Sequence, residues 1–150
     1  MESIKNPEEQ LNHFFVTVFN DILRLEETSL AKGIHKQLSM SEMHVIEAVC
    51  NSQDQEANTM KELSSKLNIT ASSLTIAVKT LEQKGYLTRK KSESDKRKVY
   101  VSPTEIAKAA NKDHAKYHEA LVKSIMKELK EPEILALTTA LETLHRFFTN

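Results

Sequence analysis

Thr70-Ala71-Ser72-Ser73-Leu74-Thr75-Ile76-Ala77-Val78-Lys79-Thr80-Leu81-Glu82-Gln83-Lys84-Gly85-Tyr86-Leu87-Thr88-Arg89-Lys90 changes its apolar period partway along. Leu74, Ala77, Val78 and Leu81 recur at helical spacing behind a Thr70 cap, and Gly85 supplies a stop. From Tyr86 the period falls to two. Tyr86–Lys90 and Val99-Tyr100-Val101-Ser102 read as two short strands joined by a polar, charged tip. A helix that runs straight into a charged hairpin decides how the rest of the chain is read.

Upstream, Thr59-Met60-Lys61-Glu62 is a capping box for a short helix carrying Leu63 and Leu67, and a tight link at Asn68-Ile69 follows. The two helices fit a helix-turn-helix, and the hairpin fits a wing. Ser39-Met40-Ser41-Glu42 opens another helix with Met43, Ile46 and Val49 on its apolar side, and Asn51 to Asn58 reads as a loop. At the N-terminus, Asn6-Pro7-Glu8-Glu9 offers a cap with proline at the first helical position, and apolar spacing continues from Leu11 until Gly33. Ser102-Pro103-Thr104-Glu105 combines a capping box with proline at the first position of a long helix. Pro132 interrupts that helix, and a last one carries Ile134, Leu137, Leu141, Leu144 and Phe148. The expected fold is mainly α with a small β-hairpin wing, one domain over 1–150. Residues 39–102 form a winged helix-turn-helix lobe. The outer helices of 1–35 and 104–150 hold more apolar surface than one chain can bury, which predicts a homodimer.

Composition narrows the function. The 150 residues are 39% hydrophobic and 28% charged, enough for one core and unlike a disordered chain. One cysteine excludes a scaffold built on intrachain disulfides. No apolar run has membrane-spanning length, and the acidic N-terminus is unlike a signal peptide, so a cytoplasmic protein with no membrane partner is expected. Glycines stand only at 33 and 85, which leaves no phosphate-cradling loop or nucleophile elbow, and an enzyme is not expected. No cofactor is expected either.

Lys plus Arg balances Asp plus Glu at 21 each, yet residues 79–98 hold eight bases against three acids. A basic block in a neutral protein points to one face that meets phosphate, here double-stranded DNA. Thr70, Ser72, Ser73, Thr75, Ile76 and Lys79 are left outward at the start of the second helix. Small hydroxyls allow close approach to a major groove, a branched methyl can touch a thymine methyl, and a lysine neutralises phosphate. At the hairpin tip, Lys91, Asp95, Lys96 and Arg97 are the candidates. An arginine there can enter the negative minor groove while Asp95 holds the loop shape. The alternatives are a solvated charged hairpin, or a helical interaction protein whose basic hairpin grips an acidic partner.

Asp95-Lys96-Arg97-Lys98-Val99-Tyr100-Val101-Ser102-Pro103-Thr104, following Leu81-Glu82-Gln83-Lys84-Gly85-Tyr86-Leu87, resembles the wing signature of MarR-type winged-helix regulators. It departs at Pro103, where that family usually has leucine. The resemblance covers the whole chain and implies that Arg97 probes the minor groove, Asp95 braces the wing, and residues 70–79 face the major groove. Phe14–Leu23, Ser41–Glu47 and Asp113–Val122 are similar to the FabT-type group, which represses fatty-acid biosynthesis genes with long-chain acyl-acyl carrier protein as corepressor.

His114 and His118 lie four apart on one helical face, and His44 sits on another helix that such a fold could bring near. They read as a polar cluster between the DNA-binding lobe and the dimer helices, with Phe15, Phe19, Leu23, Met43 and Ile46 as an adjoining acyl surface. Ordinary core and dimer packing is the alternative for those apolar residues. Zinc bound by the three histidines is an alternative regulatory reading, but no metal site is assigned. Cys50 has no base close in sequence to lower its pKa, so redox sensing is not expected.

Overall fold

Side-chain caps set where most of the helices begin. In the computed structural model, which describes residues 6–52 and 58–150, Asn6 accepts from the Glu8 amide at 3.2 Å and starts α1 (Pro7–His13). Residues 1–5 and most of the loop expected between Asn51 and Asn58 lie outside the described residues. A π-helical turn (Phe14–Val18) separates α1 from α2 (Phe19–Lys32). Such a turn changes the phase of the side chains that follow it, a shift that apolar spacing alone did not announce. Gly33 caps α2 at φ −83°, so this stop does not use glycine's left-handed freedom.

Ser39 opens α3 (Met40–Asn51) with both halves of its capping box present, Ser39 to the Glu42 amide and Glu42 back to the Ser39 amide. Thr59 caps α4 (Met60–Leu67), which ends at Asn68 in the left-handed region, φ 51°. Thr70 caps α5 (Ala71–Gln83). Beyond it the Tyr86 amide returns to the Leu81 carbonyl at 2.8 Å, and Gly85 takes φ +85°, which a side chain would strain.

The hairpin pairs β1 (Leu87–Lys91) antiparallel to β2 (Val99–Pro103), with Leu87 opposite Pro103 and Lys91 opposite Val99. Here the expectation for Pro103 is corrected. It does not open the next helix but ends β2, at a strand end that tolerates its missing N–H. Thr104 is the cap instead, accepting from the Ala107 amide at 3.4 Å, and α6 runs Glu105–Glu128. Asn58 and Thr59 also touch the wing. Thr59 bridges Tyr100, and the Val101 amide donates to the Asn58 carbonyl at 2.9 Å, which adds a short third edge to the wing. Pro132 lies in the first turn of α7 (Glu131–Thr149).

The chain divides into two compact units, Met1–Lys112 and Asp113–Asn150. The first holds the core. Met43, Ile46, Leu63, Leu74, Val78 and Leu81 are wholly buried, and Leu87, Val101, Ala107 and Ala110 close around them. This stripe orients α5, since Leu74, Val78 and Leu81 turn inward and commit the opposite side to solvent. The second unit contains the rest of α6 and all of α7, and no side chain of α7 is buried in the single chain. Leu135, Phe147 and Phe148 are 69%, 74% and 68% exposed. In the first unit Leu11, Phe15, Val16, Phe19, Ile22 and Leu25 are likewise exposed. Among the described residues no helix is long and apolar enough to cross a membrane.

Leu74→Ala removes a wholly buried side chain from beneath α5. Urea denaturation is expected to show a loss of about 2–5 kcal/mol. A loss below about 0.5 kcal/mol would mean that α5 does not rest on this core.

Candidate nucleic-acid interface

The start of α5 is organised before any ligand arrives. Thr70 Oγ1 accepts from the Ser73 amide at 3.1 Å and donates to Ser73 Oγ at 2.9 Å. Thr75 donates its hydroxyl proton back to the Ala71 carbonyl at 2.8 Å. Thr70 and Thr75 therefore offer acceptor oxygen outward but no free donor, whereas the Ser72 hydroxyl has no partner among the described residues. Ser72, Thr75, Ile76 and Lys79 are all exposed and recur at three- and four-residue steps, which places them on one face. Ile76 is 68% exposed. A single exposed aliphatic residue is ordinary on any protein. Its place between a serine and a lysine on the face that the core turns outward is what marks this one.

The basic block is smaller in effect than the sequence indicated. Three of its cations are already paired. Lys84 holds Glu42 at 2.8 Å, Arg89 holds Glu82 at 2.5 Å, and Arg97 holds Asp95 at 3.1 Å. The first two pairs were missed because they join α5 to α3 and to β1, and no periodic spacing announces a contact between elements. Lys79, Lys90, Lys91, Lys96 and Lys98 carry no ion pair among the described residues, and with Arg97 they are exposed cations of α5 and the hairpin.

The wing tip is a folded loop rather than a loose charged turn. The Ser92 amide donates to the Lys98 carbonyl and the Lys98 amide to the Asp95 carbonyl, each at 2.9 Å. Asp95 Oδ1 accepts from both the Arg97 amide and Arg97 Nε at 3.1 Å, and Oδ2 lies 3.4 Å from Nη2. The Arg97 side chain is nonetheless 91% exposed, so it is aimed without being covered. These bonds, the guanidinium first and the Arg97 amide second, hold the Asp95 carboxyl below the usual carboxylate range.

The remaining candidates are distributed differently. Met43 and Ile46 sit inside the core, whereas Phe15, Phe19 and Leu23 are exposed along the N-terminal helices. His44 is exposed on α3 in the first unit. In the second unit, His114 and His118 approach through their Nε2 atoms at 3.0 Å. A cavity of about 790 Å³ opens between the end of α3, the hairpin and the start of α6, where Cys50, Asn58, Tyr100 and Lys108 line it. None of the eight ligand candidates does. Burial pushes the Cys50 thiol up, and nearby Lys108 opposes this only in part, so the sulfur is held as a poor nucleophile.

The Asp95 brace has a defined pH dependence. A lowered carboxyl pKa contributes order above the ordinary carboxylate value and loses it as the pH falls through the lowered one. A proton titration followed by NMR is expected to place Asp95 below exposed aspartates, and Arg97→Ala should return it to their range. An Asp95 titration that ignores the Arg97 substitution would remove the brace from the account.

The MarR family's sequence profile matches residues 38–99, which span α3 through the start of β2. The organic hydroperoxide resistance transcriptional regulator of Bacillus subtilis (strain 168) is 36% identical over 96 residues. That match takes in 62% of this chain and 65%, just under two thirds, of the regulator's own length. Among solved structures, Streptococcus pneumoniae FabT in complex with DNA is similar at a TM-score of 0.86 and 29% identity, over 94% of this chain and 96% of that one. The S. aureus MepR–DNA complex shares the fold at a TM-score of 0.77 and 14% identity, over 90% of this chain and 96% of that one. The MarR family profile is thus seated on the helix-turn-helix and wing of this chain, residues 38–99, and the likeness in fold to the FabT and MepR complexes runs nearly end to end.

Proposed function

We propose that this chain is a homodimeric repressor that binds a pseudo-palindromic operator in fatty-acid biosynthesis promoters and takes long-chain acyl-acyl carrier protein as its effector. It acts by occupying DNA and not by catalysing a reaction. The observation that carries the DNA reading is the pairing, in one unit, of an outward α5 face with a braced, exposed Arg97 beside unpaired lysines. Thr70, Ser72, Ser73, Thr75 and Ile76 take the major groove, Lys79 a backbone phosphate, Arg97 the minor groove, and Lys91 and Lys96 the flanking phosphates. Asp95 keeps Arg97 aimed. DNA as the partner implies a cytoplasmic protein.

The dimer is supported by the apolar surface that each unit leaves exposed when the chain is alone, on α1–α2 and on α7. Long helices that leave several large apolar side chains exposed are commonly covered in oligomers. Two copies then present two α5 helices to half-sites about one helical turn apart. The fatty-acid reading rests on the likeness to FabT in complex with DNA, which covers 94% of this chain. In the first unit Phe15, Phe19 and Leu23 are exposed apolar residues available to an acyl chain, and His44 is a candidate polar contact. Met43 and Ile46 could line such a site only from within the core.

Fluorescence anisotropy on duplexes from fatty-acid-synthesis promoters, with metal chelated and acyl-acyl carrier protein present or absent, tests this directly. Binding above random DNA that the acyl protein strengthens is the expected result. Binding indifferent to promoter sequence would reject the proposed targets, and specific binding restored only by zinc would replace the acyl effector. In the same titrations Arg97→Ala should cost about 1–3 kcal/mol. Lys79→Ala should weaken all sequences alike and lower the salt slope by about one. A Lys79→Ala variant that alters sequence preference instead would show a base contact rather than a phosphate contact.

A further inference from the structure

Three consecutive residues join α5, the recognition helix of the reading above, to the wing, and all three are held from outside. Lys84 Nζ donates to the Gln37 carbonyl at 2.8 Å and to both Glu42 oxygens at 2.8 and 3.1 Å. Tyr86 is buried, and its hydroxyl lies 2.9 Å from Nδ1 of His35, which is also buried. Between them the Gly85 carbonyl accepts the Thr104 hydroxyl at 2.7 Å, while the Tyr86 carbonyl accepts the Thr104 amide and hydroxyl, each at 3.0 Å.

The partners come from two places. His35, Gln37 and Glu42 lie on the segment that leads out of α2 into α3, and Thr104 caps α6. The α2 exit and the α6 start therefore converge on Lys84-Gly85-Tyr86, the joint where α5 ends and β1 begins. The His35–Leu38 stretch is itself a closed turn, with the Leu38 amide on the His35 carbonyl at 3.0 Å and Leu38 buried. Its two ends are gripped by Tyr86 and Lys84.

We propose that Lys84 and Tyr86 are positioning residues that fix the recognition helix and wing to the α2 exit and the α6 cap, and so set the spacing at which a dimer reads its two half-sites. This rests on the dimeric DNA-binding reading above. Neither residue belongs to the DNA-facing set, because the Lys84 cation is spent on Glu42 and Gln37 and the Tyr86 ring lies in the core. A charge-assisted bond to a half-buried carboxylate and a buried hydroxyl–imidazole bond are both directional. They resist tilting of α5 more than apolar contact does, since apolar packing tolerates small sliding. Losing one leaves Leu74, Val78 and Leu81 in place, so the lobe stays folded while its docking angle loosens.

The test begins with a duplex selected from a random-sequence library by the wild-type protein. That duplex, and versions with the centre lengthened or shortened by one or two base pairs, are titrated with wild type, Tyr86→Phe, Lys84→Met and Lys84→Arg. Each added pair rotates one half-site by about a tenth of a turn. Wild type is expected to lose affinity sharply off its preferred spacing. Tyr86→Phe and Lys84→Met should bind the preferred duplex about tenfold more weakly and discriminate less between spacings. Lys84→Arg should restore discrimination, since it keeps the cation. Thermal melting of each variant separates loss of fold from loss of position. Variants that melt lower yet keep the full wild-type spacing penalty would overturn the positioning role and leave only packing. A wild type that selects a duplex but is indifferent to spacing would overturn the two-fold dimer reading and the proposed spacing role with it.

Discussion

The structure depends on one stripe of apolar side chains, Leu74, Val78 and Leu81, pressed against α3 and α4. Wholly buried, they fix the rotation of α5 about its own axis, and that rotation decides which residues the helix offers to solvent. Shifting the stripe by two residues would turn Ser72, Ile76 and Lys79 toward the core and expose Leu74 and Leu81 in their place. The polar face is a consequence of the apolar one, so an interface rich in hydroxyls needs no separate folding instruction.

The wing extends the same logic by different means. Its two strands are too short to be stable alone. They are held by Leu87 and Val101 in the core, by the Asn58–Thr59 edge, and by the hydrogen bonds that fold the tip around Asp95. Charge then divides by location. Cations near the base of the wing and the end of α5 are consumed by Glu42 and Glu82, and those along its exposed surface are left for an anionic partner. A chain with no net charge can in this way present unpaired cations on α5 and the wing.

Much of this was legible in the sequence because caps and periods are local. Ser39, Thr59 and Thr70 begin their helices as their spacing predicts, Gly85 needs its positive φ, and the change of period at Tyr86 marks the hairpin. What escaped was whatever one element imposes on another. Pro103 reads as a helix opener beside Thr104 and Glu105, but pairing with Leu87 keeps it in the strand. Asn58 and Thr59 read as loop and cap, yet Thr59 caps α4 and bridges Tyr100 at once. Lys84 and Arg89 count as free charge in a linear tally and prove to be internal ties. The π turn at Phe14–Val18 leaves no mark on apolar spacing short enough to detect.

The central claim is that two copies of one braced α5–wing surface read two halves of one duplex. Hydroxyl-radical footprinting of the protein on a duplex it selects addresses this most directly, because it maps sugar accessibility along both strands. The account predicts two protected regions related by a dyad, with centres about one helical turn apart and protected minor-groove flanks on their outer sides. A single asymmetric protected patch, or protection without minor-groove flanks, would contradict it.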